Sequence, residues 1–93
     1  MFQINEKDRT GFRITFANGI TVSVVFHEFA YCTARNDDQM LRERRSPDCE
    51  IGIFGSDNGW LTRQFVPDAN DDVIGWVSPE DLVDLVVKVK NYK

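Results

Sequence analysis

Residues 12–26 read FRITFANGITVSVVF, two runs in which apolar and polar residues alternate on either side of Asn18-Gly19. Asn-Gly between two such runs is a strong signal for a β-hairpin. A two-residue loop would set large apolar residues opposite mostly polar ones, whereas a three-residue loop over residues 17–19 separates an apolar face from a polar face. We therefore predict the three-residue loop, with Gly19 in the left-handed conformation of a bulged turn. The expected pairs are Phe16–Ile20, Ile14–Val22, Phe12–Val24, Thr15–Thr21 and Arg13–Ser23.

A second hairpin is predicted from residues 49–54 (CEIGIF) and 60–66 (WLTRQFV), which flank a cluster of turn residues. A loop with an odd number of residues would pair apolar residues with apolar residues across the two strands. The expected pairs are Ile53–Leu61, Cys49–Phe65 and, on the other face, Phe54–Trp60. Gly52 lies on this second face, where its missing side chain is expected to make room for Trp60 or Trp76.

The C-terminal third predicts a short strand over residues 73–77 and then a helix. Ser78 is placed to cap the helix and Pro79 to occupy its first position. Near the N-terminus, Phe2 and Ile4 alternate with polar residues, which indicates a short strand or arm within residues 1–10. The sequence thus predicts one α+β domain over residues 1–93. Its antiparallel sheet has four to five strands, two hairpins plus a short strand, and the C-terminal helix packs on one face.

Residues 33–47 form a polar excursion between the predicted second and third strands. A short helix is predicted there, capped by Asn36 with Gln39 as the reciprocal partner. Met40 and Leu41 are its only large apolar residues, so we expect light tethering to the core. A long polar connection is uncommon in a small domain unless it serves a function.

The formal net charge of −4 is unevenly distributed. Residues 1–45 carry seven bases and six acids, residues 46–87 carry nine acids and one base, and the tail adds three lysines. An acidic second half argues against nucleic acid as a direct ligand, because phosphate binding needs clustered Lys and Arg. It favours a basic protein surface over an acidic one as partner. No apolar run approaches a membrane span and no signal-peptide pattern begins the chain, so we expect a cytoplasmic protein.

The residues that could carry chemistry are Cys32, Cys49 and His27. Their spacing matches no zinc pattern, and a Cys–His nucleophile pair would need spatial adjacency that the sequence does not supply. We expect two reduced, mostly buried thiols, with a disulfide left open because spacing does not fix the Cβ separation. Residues 68–72 begin like a calcium loop but lack the required Gly and Glu further on. No metal, cofactor or enzymatic activity is predicted.

Four segments in order carry a resemblance to known proteins: residues 16–26 (FANGITVSVVF), Tyr31-Cys32, residues 49–54 (CEIGIF) and residues 75–82 (GWVSPEDL). In this order the chain resembles a group of small uncharacterised phage and prophage proteins, and it departs from them in the polar excursion. The resemblance implies a phage accessory protein in a bacterial cytoplasm. By analogy with other small acidic phage proteins, it implies binding to a host protein, including host-defence complexes, as anti-CRISPR-like inhibitors do.

We therefore expect a non-enzymatic protein-binding module. Its expected contact residues are Asp57, Asp68, Asp71 and Asp72 for a basic partner, with Arg42, Arg44 and Arg45 from the excursion. Exposed aromatic residues on the uncovered sheet face are expected to contribute: Phe29, Phe54, Trp60 and Trp76. Two alternatives stay open. One is a homodimer or phage structural protein that associates through the uncovered sheet face, and the other is a small thiol-dependent enzyme using Cys32, Cys49 and His27.

Overall fold

The computed structural model describes residues 1–5 and 10–93. Within them, five strands form one antiparallel sheet whose spatial order follows the chain order. The strands are β1 (Phe2–Ile4), β2 (Gly11–Thr15), β3 (Thr21–Val25), β4 (Cys49–Phe54) and β5 (Val73–Val77). The α-helices are α1 (Asp38–Glu43), α2 (Thr62–Phe65) and α3 (Pro79–Lys90), and a 3-10 turn spans Thr33–Asn36. The α+β prediction is confirmed, and the predicted N-terminal strand or arm is β1, with residues 6–9 outside the described part of the chain.

The first hairpin has the predicted register, with every expected β2–β3 pair present. Gly19 adopts a φ of 84°, the left-handed conformation that the bulged turn needs. Its amide donates to Phe16 O at 2.9 Å. The turn also holds the end of α3, because Asn18 Nδ2 donates to the carbonyl oxygens of Val89 (2.8 Å) and Tyr92 (2.9 Å). A local sequence signal thus fixes a contact between the two halves of the chain.

The second hairpin is confirmed only at the expected Phe54–Trp60 bridge, after which the chain leaves the sheet. The expected Cys49–Phe65 pair is wrong, because Cys49 pairs with Val77. Residues Thr62–Phe65 form a helical turn, α2, where a strand was expected. Buried Thr62 explains the change: its Oγ1 accepts from Ile53 N (3.1 Å) and donates to Asp72 O (2.5 Å). This hydroxyl replaces the backbone partner that a fourth strand would have supplied. β5 then takes the place beside β4.

One face of the sheet carries the core, and α3 covers it. Ser78 caps the helix as predicted, since its Oγ accepts from Asp81 N at 3.2 Å. Leu85 and Val89 are buried in the same cluster as the apolar residues of β3 and β4. No helix among the described residues is long and apolar enough to cross a membrane.

The polar excursion contains the predicted helix, but its cap was assigned one residue too early. Asp37, not Asn36, caps α1, because its Oδ1 accepts from Met40 N at 3.0 Å while Asn36 lies in the 3-10 turn. Met40 and Leu41 pack against a small cluster of Ala30, Cys32 and Ala34. The two ends of the excursion are joined by Asp48, whose carboxylate accepts from Thr33 N and Thr33 Oγ1, both at 2.6 Å.

Candidate protein-binding site

The predicted acidic contact residues fall into two different places. Asp68 and Asp71 are exposed in the loop before β5. Asp72 lies beside them but is paired with Arg63, Nη1 to Oδ1, at 3.1 Å. Asp57 is elsewhere, in the turn after β4, where its Oδ1 accepts from Gly59 N at 2.9 Å. That turn lies beside the first hairpin, since Ser56 Cβ is 3.7 Å from the position a Cβ on Gly19 would take.

The predicted arginines lie on and after α1. Arg42, Arg44 and Arg45 are all exposed. Arg45 Nε is 2.7 Å from Glu43 Oε2, and Arg44 lines a small cavity of about 160 Å³ with Thr10 and His27. None of the three lines either of the two cavities beside β5.

Two cavities meet at Trp76, on the outer edge of β5. The first, of about 390 Å³, is lined by Asp68, Asp71 and Tyr31 among others. The second, of about 400 Å³, lies between β5 and α3 and is lined by Asp81, Asp84 and Lys88 among others. Four residues line both cavities: Val66, Ile74, Gly75 and Trp76. We call the two cavities together the β5 groove.

The β5 groove combines an apolar wall with an acidic rim. Four exposed aspartates lie along it, and Lys88 is the one basic residue among those lining it within the described chain. This arrangement attracts a cation that also has apolar surface to bury, as the side chains of Lys and Arg do.

Trp76 is held in the groove by unusual backbone geometry. It has a φ of 52° at an irregularity in the β4–β5 register, and this left-handed conformation is rare for a bulky residue. Its amide donates to Tyr31 O at 2.9 Å, and its ring stacks on Tyr31 at 5.8 Å between centroids. The guanidinium of Arg35 lies 5.2 Å from the centre of the Tyr31 ring. The indole remains 61% exposed.

The sheet face opposite α3 is less aromatic than expected. Most of its β1–β3 positions are polar: Gln3, Arg13, Thr15, Thr21 and Ser23. Phe54 and Trp60 do lie there, in edge-to-face contact at 5.8 Å, and Trp60 covers Gly52 as one of the two predicted tryptophans. Arg13 lies 5.5 Å from the Phe54 ring. Phe29 is instead exposed in the loop after β3 and contacts His27.

Cys32 and Cys49 are both free and buried, in agreement with the predicted reduced thiols. Burial raises the pKa of the Cys49 thiol to about 11, so little thiolate forms near neutral pH. The Cys32 thiol donates to the backbone oxygen of His27 at 3.7 Å, while His27 Nδ1 accepts from Phe29 N at 3.1 Å. Among the described residues, no group of three or more His, Cys, Asp or Glu is placed to hold a metal ion.

The groove residues that were not foreseen as contacts include Tyr31, Asp81 and Asp84. The sequence does place Asp81 and Asp84 on the outer face of α3, only a few residues after Trp76. What it does not show is that α3 turns this face toward β5. Tyr31 lies just before the polar excursion in the sequence, and no local pattern there indicates that it lines the groove.

Comparison of the chain with protein-family models, with curated proteins and with solved structures found no match in any of the three.

Proposed function

We propose that this chain is a non-enzymatic protein-binding module whose β5 groove takes a basic segment of a partner protein. The observation that carries the proposal is the exposed Trp76 ring between two pairs of aspartates, Asp68 with Asp71 and Asp81 with Asp84. A cation over an aromatic face gains up to about 2 kcal/mol when desolvated, and carboxylates at the rim add attraction at longer range.

The chain's own Arg35 illustrates the contact that a partner would make. Its guanidinium lies over Tyr31, which in turn stacks on Trp76. A guanidinium of the partner on the exposed part of Trp76 would add a fourth group to the stack of Arg35, Tyr31 and Trp76. Arg suits this position better than Lys, because its planar group both stacks on a ring and bonds two carboxylate oxygens.

The resemblance to phage accessory proteins supports a host protein as the partner. In that setting the module acts in the bacterial cytoplasm as an inhibitor of a host or host-defence protein, in the manner of anti-CRISPR proteins. It works by occupying a basic surface, for which no catalytic residue is needed.

The test begins with capture of the partner from a bacterial host, using wild-type protein whose affinity tag lies away from the groove. The affinity of the purified partner is then measured. The groove variants are Asp68→Asn with Asp71→Asn, and separately Trp76→Asn. Asn tolerates the left-handed backbone at position 76, so this variant removes the ring without straining the fold. We expect each variant to weaken binding about tenfold or more, with a steep loss of wild-type affinity on adding salt.

Matched controls separate the groove from charge in general. Glu28→Gln with Asp38→Asn removes the same charge at exposed positions that line neither cavity of the groove. Trp60→Leu removes an exposed ring from the sheet face opposite α3, away from the groove. If the controls weaken binding as much as the groove variants do, the partner does not occupy the groove and the proposal fails.

A further inference from the structure

Among the described residues, no strand pairs with the outer edge of β1, and this edge is apolar. Phe2 is 80% exposed and Ile4 is 87% exposed, although both lie on a strand of the sheet. They pair with Ile14 and Phe12, so their side chains lie on the same face as the core, beyond the part that α3 covers. Isolated apolar residues at a surface are ordinary, but two large ones on an edge strand are not.

The backbone hydrogen bonds show which groups this edge presents. Thr15 N donates to Met1 O (2.8 Å) and Asn5 N donates to Gly11 O (3.2 Å), so Met1 and Asn5 direct their polar groups toward β2. Antiparallel pairing alternates along the strand, and Gln3 therefore does the same. The N–H and C=O groups of Phe2 and Ile4 point the other way, to the open side.

We propose that β1 pairs with β1 of a second copy of this chain, joining two five-stranded sheets about a two-fold axis at Gln3. This pairing is self-complementary, as an isologous interface requires. Phe2 lies opposite Ile4 of the second copy, and each such pair exchanges both backbone bonds. The apolar side chains meet on the α3 side of the sheet, while the two Gln3 side chains meet on the other side.

The paired segment is short, with three residues of β1 from each copy. A three-residue strand pair alone falls short of the roughly 800 Å² per partner that stable interfaces bury, so the dimer is reversible and its population depends on concentration.

The test is sedimentation of the full chain without an N-terminal tag, over a range of about 5 to 500 µM, wide enough to detect micromolar self-association. The wild type should shift from monomer toward twice the monomer mass. Ile4→Pro should abolish the shift, because it removes an outward N–H that the dimer uses and none that β2 uses. Circular dichroism of Ile4→Pro should match the wild type.

A charge-swap pair tests the proposed register. In the two-fold arrangement Gln3 faces Gln3, so Gln3→Lys and Gln3→Glu should each weaken self-association by up to about fivefold. An equimolar mixture of the two should associate more tightly than either variant alone. A wild type that stays monomeric throughout overturns the inference, and so does a dimer that Ile4→Pro leaves intact or a mixture that shows no gain.

Discussion

The two edges of the sheet differ in what they offer another molecule. The β1 edge presents two exposed apolar side chains and backbone groups that no strand of the described chain pairs with. The β5 edge is irregular and partly covered: its register shifts after Cys49, Trp76 turns into the left-handed region, and Tyr31 O takes the Trp76 amide. The residues along the β5 edge combine an apolar wall with four exposed aspartates.

This difference separates two kinds of recognition within one small sheet. A regular edge recognises another strand through its backbone, almost regardless of sequence. An edge broken by a bulge cannot continue the ladder, so it recognises side chains through the shape and charge beside it. In this chain the first kind suits self-association and the second suits a basic partner. Changes at one edge should therefore leave the other edge's function intact.

The largest effect is expected from Gly75→Ala, which disrupts the packing of Tyr31 against the β5 edge. A Cβ there would lie 2.6 Å from Tyr31 Cβ and 2.9 Å from Tyr31 O. Because backbone must move to relieve this clash, we expect the free energy of unfolding to fall by about 2–3 kcal/mol, measured by urea denaturation. Self-association through β1 should persist under conditions where the variant is folded.

Gly52→Ala is the matched control, since its Cβ would also meet a close atom, Trp60 Cζ3 at 2.8 Å. That atom belongs to a ring that is 52% exposed and can shift. We expect a loss below about 1 kcal/mol. Equal losses for the two glycines would show that the Tyr31 backbone does not constrain the β5 edge.

The parts of the fold that sequence predicts are those specified locally. The register of residues 12–26 follows from alternation and one turn, and the start of α3 follows from Ser78 and Pro79. Residues 60–66 also alternate, but Leu61 and Phe65 are spaced equally well for a helix. The hydrogen bonds of Thr62 to Ile53 and Asp72 decide between the two, and these long-range contacts are not visible in the local pattern.

The candidate site was half predicted for the same reason. Asp68 and Asp71 stand out as an exposed acidic loop, and both line the groove. The stacking of Tyr31 on Trp76 depends on how the excursion returns to the sheet, which no motif encodes. At the other edge, the pattern predicts β1 but not that α3 stops short of covering it.

Lowering the pH is expected to have an intermediate effect on stability. It should act near the β5 edge, through protonation of Asp48. Partial burial works to raise the pKa of this carboxyl, but the hydrogen bonds from Thr33 and Ser46 outweigh burial and hold the pKa below its usual value. A lowered folded-state pKa stabilises the fold above the unfolded-state pKa of about 3.9, and that contribution is lost as pH falls through the folded-state value. Acid should therefore release Thr33, close to Tyr31.

The measurement compares the wild type with Asp48→Asn by denaturation at neutral and acid pH. At neutral pH the variant should be less stable by about 1–2 kcal/mol, the contribution of hydrogen bonds to a charged group. The gap should close as pH falls through the lowered folded-state pKa, where the wild-type carboxyl also becomes neutral. Glu28→Gln serves as the control, and a gap that stays constant with pH would contradict the role assigned to the ionised carboxyl.

The smallest effect is expected from Arg63→Gln, which tests whether charge or shape matters more in the acidic loop. Arg63 is exposed, pairs with Asp72 at 3.1 Å and donates to Asn70 O at 3.2 Å. Exposed pairs contribute little, so the free energy of unfolding should change by less than about 1 kcal/mol. Arg63 is the one base in residues 46–87, and removing it should tighten binding of a basic partner about two- to threefold at low salt. This gain should vanish at high salt, and self-association should not change. Weaker binding at low salt would instead mean that Arg63 holds the loop in the shape that the partner recognises, which would make the β5 groove a site of defined geometry more than of summed charge.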